Sequence, residues 1–216
     1  MRNGRARGQA GKRAAGARTA GGAQATSRMI DPTLARRIRL VGLDVDGVLT
    51  DGGVYIGRMG DRPVELKRFD IQDGLGIKLL RDAGITVAFA SARRSEATDL
   101  RARELKVDEV VQDNRKLPAF AALLERRGIS WDQCAFVGDD LPDLPLLRRV
   151  ALPIAVANAV PEVIAVARVV TRAAGGRAAV REAIELLLRA RGEWDGLLER
   201  YLEERGDVEP AAVRSR

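Results

Sequence analysis

The sequence predicts an α/β fold, a Rossmann-like parallel sheet with helices on both faces. Short apolar segments of strand length alternate with segments of helical periodicity, which is typical of this class. Two apolar segments, ITVAFA at 85–90 and CAFVGD at 134–139, are nearly continuous, as expected of strands that helices cover on both sides. The length of 216 residues suffices for one sizeable core, so we expect one domain with tails.

The predicted elements follow one another from residue 38 onwards. We predict strands at 38–44, 85–90, 109–111, 134–139, 152–156 and 169–171. We predict helices from Asp73, as the N-cap, to about Ala83, then at 95–105, 117–127, 143–149, from Pro161, at 178–190 and at 194–204. Residues 53–68 predict two short strands around a Gly/Asp/Pro turn, which we interpret as a hairpin flap.

Composition divides the chain into three ranges. Residues 1–28 contain seven basic and no acidic residues, which predicts a disordered basic tail. The domain is expected at 29–192, and 193–216 is interpreted as a C-terminal helix and tail. The net charge of +7 belongs to the first range, because the remaining 30 basic residues balance 30 acidic ones. We therefore favour a solvated extension over a nucleic-acid contact.

Residue types that are rare or absent exclude several kinds of chemistry. The chain has no histidine and one cysteine, Cys134, which excludes Ser-His-Asp and Cys-His catalysis, the common zinc sites and an internal disulfide. No segment approaches the roughly 18 apolar residues of a membrane span, and no secretory signal is expected. We expect a cytoplasmic protein whose chemistry uses carboxylates, lysine, arginine, hydroxyls and hard metal ions.

The most informative segment is LDVDGVLTDG at 43–52. Asp44 and Asp46 stand two positions apart at the end of the first predicted strand, so both carboxylates can point to one place. Gly47 permits a sharp turn directly after them. Because two carboxylates this close repel each other, they require a cation, a shared proton or both.

The ends of later strands carry a hydroxyl, a lysine and more carboxylates. Ser91 follows the strand at 85–90, Lys116 lies at a helix start, and Asp139 belongs to the acidic turn GDDLPDLP. Each alone has an ordinary explanation as a turn serine, a solvated lysine or a helix-capping aspartate. Because sites in open parallel sheets lie beyond the carboxyl ends of the strands, we expect these residues to meet the first two carboxylates. Three carboxylates at one place favour Mg²⁺.

With DVDGVLTDG, Ser91, Lys116 and GDDLPD in this order and spacing, the chain resembles the haloacid dehalogenase superfamily of phosphotransferases. The resemblance implies that Asp44 attacks phosphorus to form an aspartyl-phosphate. It implies that Asp46 protonates the leaving alcohol and later accepts a proton from water. Mg²⁺ would be held by Asp44, the Asp46 carbonyl and Asp139, while Ser91 and Lys116 would bind the phosphoryl group.

The closer resemblance, over about residues 35–190, is to the 3-deoxy-D-manno-octulosonate 8-phosphate (Kdo 8-phosphate) phosphatase family. The residues that carry it are ELKRFDIQDGLGIK after the flap, SARRSE, GDDLPDLPLLRRV, AVANAVPE and TRAAGGRAAVRE. The family likeness implies hydrolysis of Kdo 8-phosphate for lipopolysaccharide precursor synthesis by a homotetramer whose flaps meet centrally. The short gaps between the motifs leave no room for a cap domain, so a large substrate or a neighbouring subunit must close the site.

The same resemblance implies a substrate site that combines residues after the flap with arginines facing the sugar-acid carboxylate. The implied substrate residues are Asp70, Ile71, Gln72, Asp73, Gly74, Lys78, Arg93 and Arg101. Arg177 would close over the site from a Gly-Gly hinge.

Departures from the family pattern concern the substrate more than the reaction. Ser91 stands where threonine is usual, Gln72 replaces an arginine, Ala178 a glycine and Asn158 an aspartate. One alternative is therefore a nonulosonate 9-phosphate or broad sugar-phosphate phosphatase, although the tail around Arg177 favours the first hypothesis. The other alternative is a scaffold without catalytic activity that binds nucleic acid through residues 1–28. The intact set of Asp44, Asp46, Lys116 and Asp139 argues against it.

Overall fold

The computed structural model describes residues 29–207, which contain eight strands and eight α-helices. The strands are β1 (Leu40–Leu43), β2 (Tyr55–Met59), β3 (Arg62–Leu66), β4 (Thr86–Ser91), β5 (Glu109–Gln112), β6 (Cys134–Gly138), β7 (Leu152–Ala155) and β8 (Val169–Val170). The helices are α1 (Pro32–Arg37), α2 (Ile71–Asp82), α3 (Glu96–Glu104), α4 (Lys116–Arg127), α5 (Leu144–Leu147), α6 (Pro161–Val166), α7 (Ala179–Arg191) and α8 (Trp194–Glu204). The predicted tail at 1–28 and the last residues of the predicted 193–216 range lie outside the described residues.

Six strands form one parallel sheet in the order β5-β4-β1-β6-β7-β8. The helices form two packed groups, one of α1, α2 and α7 and the other of α4, α5 and α6. Right-handed crossovers place these two groups on opposite faces of the sheet. The predicted α/β class with helices on both faces is confirmed. Within residues 29–207, no helix has both the length and the apolar character needed to cross a bilayer.

The centre of the sheet is buried and tightly packed. All four residues of β1 are buried, and Gly42 in this strand faces Phe120 of α4 and Phe136 of β6. A Cβ at Gly42 would lie 2.5 Å from the Phe136 ring and 2.9 Å from the Phe120 ring, so only glycine lets these rings reach the sheet. Leu43 pairs with both neighbouring strands, which places the carboxyl ends of β1, β4 and β6 at one level.

The predicted flap is confirmed as an antiparallel hairpin of β2 and β3, separate from the main sheet. All five residues of β2 are exposed. Between the first acidic motif and β4, the described chain contains only this hairpin and α2, in agreement with the predicted absence of a cap domain.

The sequence prediction missed one helix and misplaced the start of two others, in each case for a local reason. Helix α1 was not predicted, although Asp31 caps it by accepting from Leu34 N at 2.8 Å and Pro32 is its first residue. Helix α2 is capped by Asp70, which accepts from Gln72 N at 2.8 Å, and not by Asp73. The predicted helix at 143–149 is a 3₁₀ turn over Leu141–Asp143 followed by the short α5.

Candidate active site

The loop after β1 is a hydrogen-bonded double turn that begins with Asp44. Asp44 N donates to Val137 O at 3.0 Å, which extends the sheet pairing by one residue. The Thr50 hydroxyl accepts from Gly47 N at 3.3 Å and from Gly52 N at 3.2 Å, and it donates to Val45 O at 3.2 Å. One buried side chain therefore holds both turns of the motif together.

Gly47 lets a second acidic loop reach the first one. Its φ of 97° lies in the left-handed region, and a Cβ there would overlap the Asp139 carboxylate. Gly47 is thus required both for the turn and for the approach of Asp139.

Asp44, Asp139 and Asp143 form a carboxylate cluster at the carboxyl ends of β1 and β6. One carboxylate oxygen from each lies within 4.8 Å of the others. Lys116 Nζ lies between two of them, 2.5 Å from Asp44 Oδ1 and 2.7 Å from Asp143 Oδ1. Asp44, Lys116 and Asp143 are buried, whereas Asp139 is partly exposed.

Three carboxylates and one ammonium leave a net negative charge in a poorly solvated place. Burial raises the pKa of Asp44 well above its usual value, and the charge of Asp143 raises it further, while Lys116 opposes both. Burial and Asp143 likewise raise the pKa of Asp139 to about 6. Burial lowers the pKa of Lys116, but the charges of Asp44 and Asp143 outweigh it, and the net shift is upward.

These residues fit a hard divalent cation. Asp139 Oδ1 is buried without a hydrogen-bond partner, which is costly unless a ligand satisfies it. Asp143 has no free oxygen of this kind, because Oδ1 is paired with Lys116 and Oδ2 accepts from Asp139 N at 3.0 Å. Carboxylate oxygens of this kind are the ligands that Mg²⁺ prefers.

Asp46 and Ser91 lie beside the cluster, as predicted. Ser91 Oγ donates a long hydrogen bond of 3.5 Å to Asp46 Oδ2 and accepts from Arg93 N at 3.1 Å. The structure therefore brings together the five residues predicted to carry the chemistry, Asp44, Asp46, Ser91, Lys116 and Asp139.

Three residues that were not among the predicted site residues also lie here, and Asn158 was noted only as a departure from the family pattern. Asp143 was visible in the acidic turn, but only the folded chain shows it paired with Lys116. Lys67, at the end of the hairpin, lies 2.7 Å from Asp46 Oδ1. Asn158 donates to Gly47 O at 3.1 Å and accepts from Gly175 N at 2.6 Å, so it links two distant loops. No spacing in the sequence indicates the last two contacts.

The predicted Gly-Gly hinge is a packed segment in this structure. Gly175 and Gly176 are both buried and pack against the loop after β1. A Cβ on either glycine would overlap the backbone of that loop. Gly176 N donates to Val48 O at 3.0 Å. The glycines are therefore needed for close approach, and Arg177 beyond them is exposed.

The predicted substrate residues at the start of α2 divide into exposed and buried groups. The Asp70 side chain caps α2, and next to it Ile71 and Gln72 are exposed. Asp73 is 1% exposed, and its Oδ1 accepts from Arg181 N at 2.7 Å. Gly74 is buried beneath Arg101. The structure thus does not bring Asp73 or Gly74 to an open site.

Within residues 29–207, Lys78, Arg93 and Arg101 of the predicted basic substrate residues are paired, whereas the Arg177 side chain has no partner. Arg93 Nη2 lies 2.8 Å from Glu65 Oε2, close to the Ser91 loop. Arg101 Nη2 donates to Asp70 O at 3.1 Å. Lys78 Nζ pairs with Asp82 at 2.6 Å and with Glu204 of α8 at 3.2 Å.

A family model described as haloacid dehalogenase-like hydrolase matches residues 110–184. The 3-deoxy-D-manno-octulosonate 8-phosphate phosphatase KdsC of Escherichia coli K12 is 45% identical over 162 residues, which cover 74% of this chain and 85% of that protein. At this identity and coverage the two chains belong to one family, and their similarity extends well beyond the acidic motifs.

Solved structures agree with this relationship. The 3-deoxy-D-manno-octulosonate 8-phosphate phosphatase of Moraxella catarrhalis, solved with magnesium, phosphate and Kdo, has a TM-score of 0.74 and 37% identity, covering 79% of this chain and 97% of that one. The Yersinia pestis phosphatase of the same name has a TM-score of 0.72 and 40% identity, covering 76% and 88%. The chain described here therefore belongs to the Kdo 8-phosphate phosphatase family of the haloacid dehalogenase superfamily.

Proposed function

We propose that this protein is a Mg²⁺-dependent phosphomonoesterase that hydrolyses Kdo 8-phosphate to Kdo and phosphate. The observation that carries the proposal is the carboxylate cluster of Asp44, Asp139 and Asp143, with Lys116 and Asp46 beside it, in a chain that shares 45% identity with a phosphatase of this specificity. A scaffold without catalytic function would have no need of so costly an assembly of buried charges.

In the proposed reaction, a carboxylate oxygen of Asp44 attacks phosphorus, and the bond between phosphorus and the sugar oxygen breaks. Asp46 donates a proton to the departing oxygen, which leaves as the sugar alcohol. Asp46 then accepts a proton from water as the water oxygen attacks the aspartyl-phosphate, which releases phosphate and restores Asp44. Ser91 and Lys116 bind the phosphoryl oxygens during both steps.

Asp44 and Asp139, with the backbone carbonyl of Asp46, would hold Mg²⁺. When bound, Mg²⁺ neutralises the negative charge of the carboxylates and of the phosphoryl group, so that two anions can approach each other. Asp143 is assigned a supporting role, because both of its oxygens are already engaged by Lys116 and by Asp139 N.

The proposed substrate is tested by phosphate release from four compounds: Kdo 8-phosphate, a nonulosonate 9-phosphate, arabinose 5-phosphate and p-nitrophenyl phosphate. We expect the highest kcat/KM with Kdo 8-phosphate, loss of activity in EDTA and recovery with Mg²⁺. A higher kcat/KM with the nonulosonate 9-phosphate would reassign the substrate and leave the reaction unchanged. Activity that is indifferent to EDTA would contradict the metal role.

We further propose a homotetramer formed through the hairpin. Its exposed apolar side chains are Tyr55, Ile56, Met59 and Leu66. An isolated two-stranded ribbon is marginal in water, so a partner surface is expected to cover it. A second copy of this chain is the proposed partner, and it would also help to close the uncapped site. A cytoplasmic location stays a prediction from the sequence.

A further inference from the structure

Lys67 is a buried cation that the proposed mechanism does not use. It directly follows β3 at the end of the hairpin, and its side chain has 0% exposure. Lysine is almost never fully buried unless it is paired. Its Nζ lies 2.7 Å from Asp46 Oδ1, 3.3 Å from Thr98 Oγ1 and 3.7 Å from Glu65 Oε1. The ammonium group thus joins the hairpin, α3 and the loop after β1.

The two oxygens of Asp46 have different surroundings. Oδ1 is paired with the Lys67 ammonium, whereas Oδ2 lies 3.5 Å from Ser91 Oγ. Ser91 is the proposed phosphoryl-binding hydroxyl, so Oδ2 is the oxygen on the phosphoryl side. The Asp46 side chain remains 24% exposed, which leaves Oδ2 accessible to a substrate oxygen or a water molecule.

We propose that Lys67 is a positioning residue for the phosphatase reaction. It holds Oδ1 of Asp46 and so fixes the carboxylate with Oδ2 aimed at the departing sugar oxygen. This inference rests on the proposed function, since it concerns the residue assigned to proton transfer. It also gives the hairpin a role inside its own subunit.

The position of Lys67 is itself fixed by its neighbours. Thr98 is fully buried in α3. Glu65 accepts from Ser95 Oγ at 2.7 Å and from Arg93 Nη2 at 2.8 Å, which ties β3 to the loop before α3. A lysine that Thr98 and Glu65 already hold loses little further entropy when it binds Asp46. A purely structural role for Lys67 would use the same contacts, so a test must separate the two roles.

The dependence on the leaving group separates them. A sugar alkoxide is a poor leaving group and needs a proton from Asp46, whereas p-nitrophenolate leaves with little help. We expect Lys67→Met and Lys67→Gln to lower kcat/KM for Kdo 8-phosphate at least about tenfold more than kcat/KM for p-nitrophenyl phosphate. Lys67→Arg, which keeps the positive charge, should recover part of the lost kcat/KM for Kdo 8-phosphate and so reduce this difference.

Lys106→Met is the matched control, because Lys106 is exposed and precedes β5, at the end of the sheet opposite the site. It should leave both rates unchanged. Thermal unfolding identifies which of the two neutral Lys67 variants is folded, and either one suffices for the comparison. Equal losses on both substrates, or no loss, would contradict the positioning role. If the wild-type protein hydrolyses neither substrate, the proposed function itself fails and the inference falls with it.

Discussion

At the level of single residues, the site depends on buried charges that compensate one another. Lys116 is held between Asp44 and Asp143, and Lys67 is held between Asp46 and the Thr98 hydroxyl. Removing one member of such a pair leaves an uncompensated buried charge, which costs about 3–5 kcal/mol. These pairs therefore constrain the side chains that are proposed to carry the chemistry.

Asp73 is a buried carboxylate outside this compensated set, and it gives a test of pH-dependent stability. Burial raises its pKa to about 6, although the hydrogen bond from Arg181 N opposes the shift. The folded protein thus keeps the proton up to a higher pH than the unfolded chain does, so stability falls as the pH rises from about 4 to about 6 and stays lower above that range. Asp73→Asn stays neutral and should be more stable than wild type at pH 7.5, by up to about 3 kcal/mol.

Urea unfolding at pH 4 and at pH 7.5 measures this difference. The advantage of Asp73→Asn should shrink markedly at pH 4, where both proteins are neutral at this position. Asp207→Asn, at an exposed position after α8, is the control and should behave like wild type at both values. The same difference at pH 4 and at pH 7.5 would contradict the titration of a buried Asp73.

At the level of elements, apolar periodicity and cap residues predicted most of the fold. The six core strands and the flap followed from short apolar segments between turn residues, and α7 followed from its apolar face. Periodicity missed α1, because six residues are too few to show a face. It also misplaced the cap of α2, since Asp70 and Asp73 are both good N-cap residues and only tertiary packing decides which carboxylate is buried.

The start of α7 carries backbone strain that can be relieved. Ala178 has a φ of 66°, a left-handed conformation that costs a residue with a Cβ about 1–2 kcal/mol. We expect Ala178→Gly to stabilise the protein by about 0.5–1 kcal/mol, because glycine removes this strain and loses some entropy in return. Chemical unfolding measures the change.

Ala183→Gly in the same helix is the matched control for this substitution. Ala183 lies in the middle of α7 and is buried, so glycine there should destabilise the protein by about 1 kcal/mol or more. Destabilisation by both glycines would contradict the strain at Ala178.

At the level of the whole molecule, strand order determines where the candidate site lies. Parallel strands bring residues that are far apart in the sequence to one edge, which is why Asp44, Ser91 and Asp139 could be predicted as neighbours. The contacts of Lys67 and Asn158 could not be predicted, because they depend on how the hairpin and the segment around Gly175 fold back over that edge.

The proposed assembly is tested at Ile56, which is 81% exposed on β2. Ile56→Asp places a charge in the proposed interface and should convert the tetramer to smaller species with reduced kcat/KM. Sedimentation equilibrium measures the mass. Leu202→Asp, an exposed apolar position on α8, is the control and should keep the wild-type mass. A wild-type protein that sediments as a monomer would contradict the assembly.

The central claim is that Asp44 attacks phosphorus in a Mg²⁺-dependent phosphatase. Phosphate release from Kdo 8-phosphate, measured with Mg²⁺ for wild type, Asp44→Asn and Asp140→Asn, tests it most directly. We expect steady release by wild type. Asp140→Asn should keep the wild-type rate, because asparagine also caps the turn that Asp140 begins. Asp44→Asn should release phosphate at least about a thousandfold more slowly, because an amide cannot attack phosphorus. Near-normal turnover by Asp44→Asn, or no release by the wild-type protein, would contradict the account.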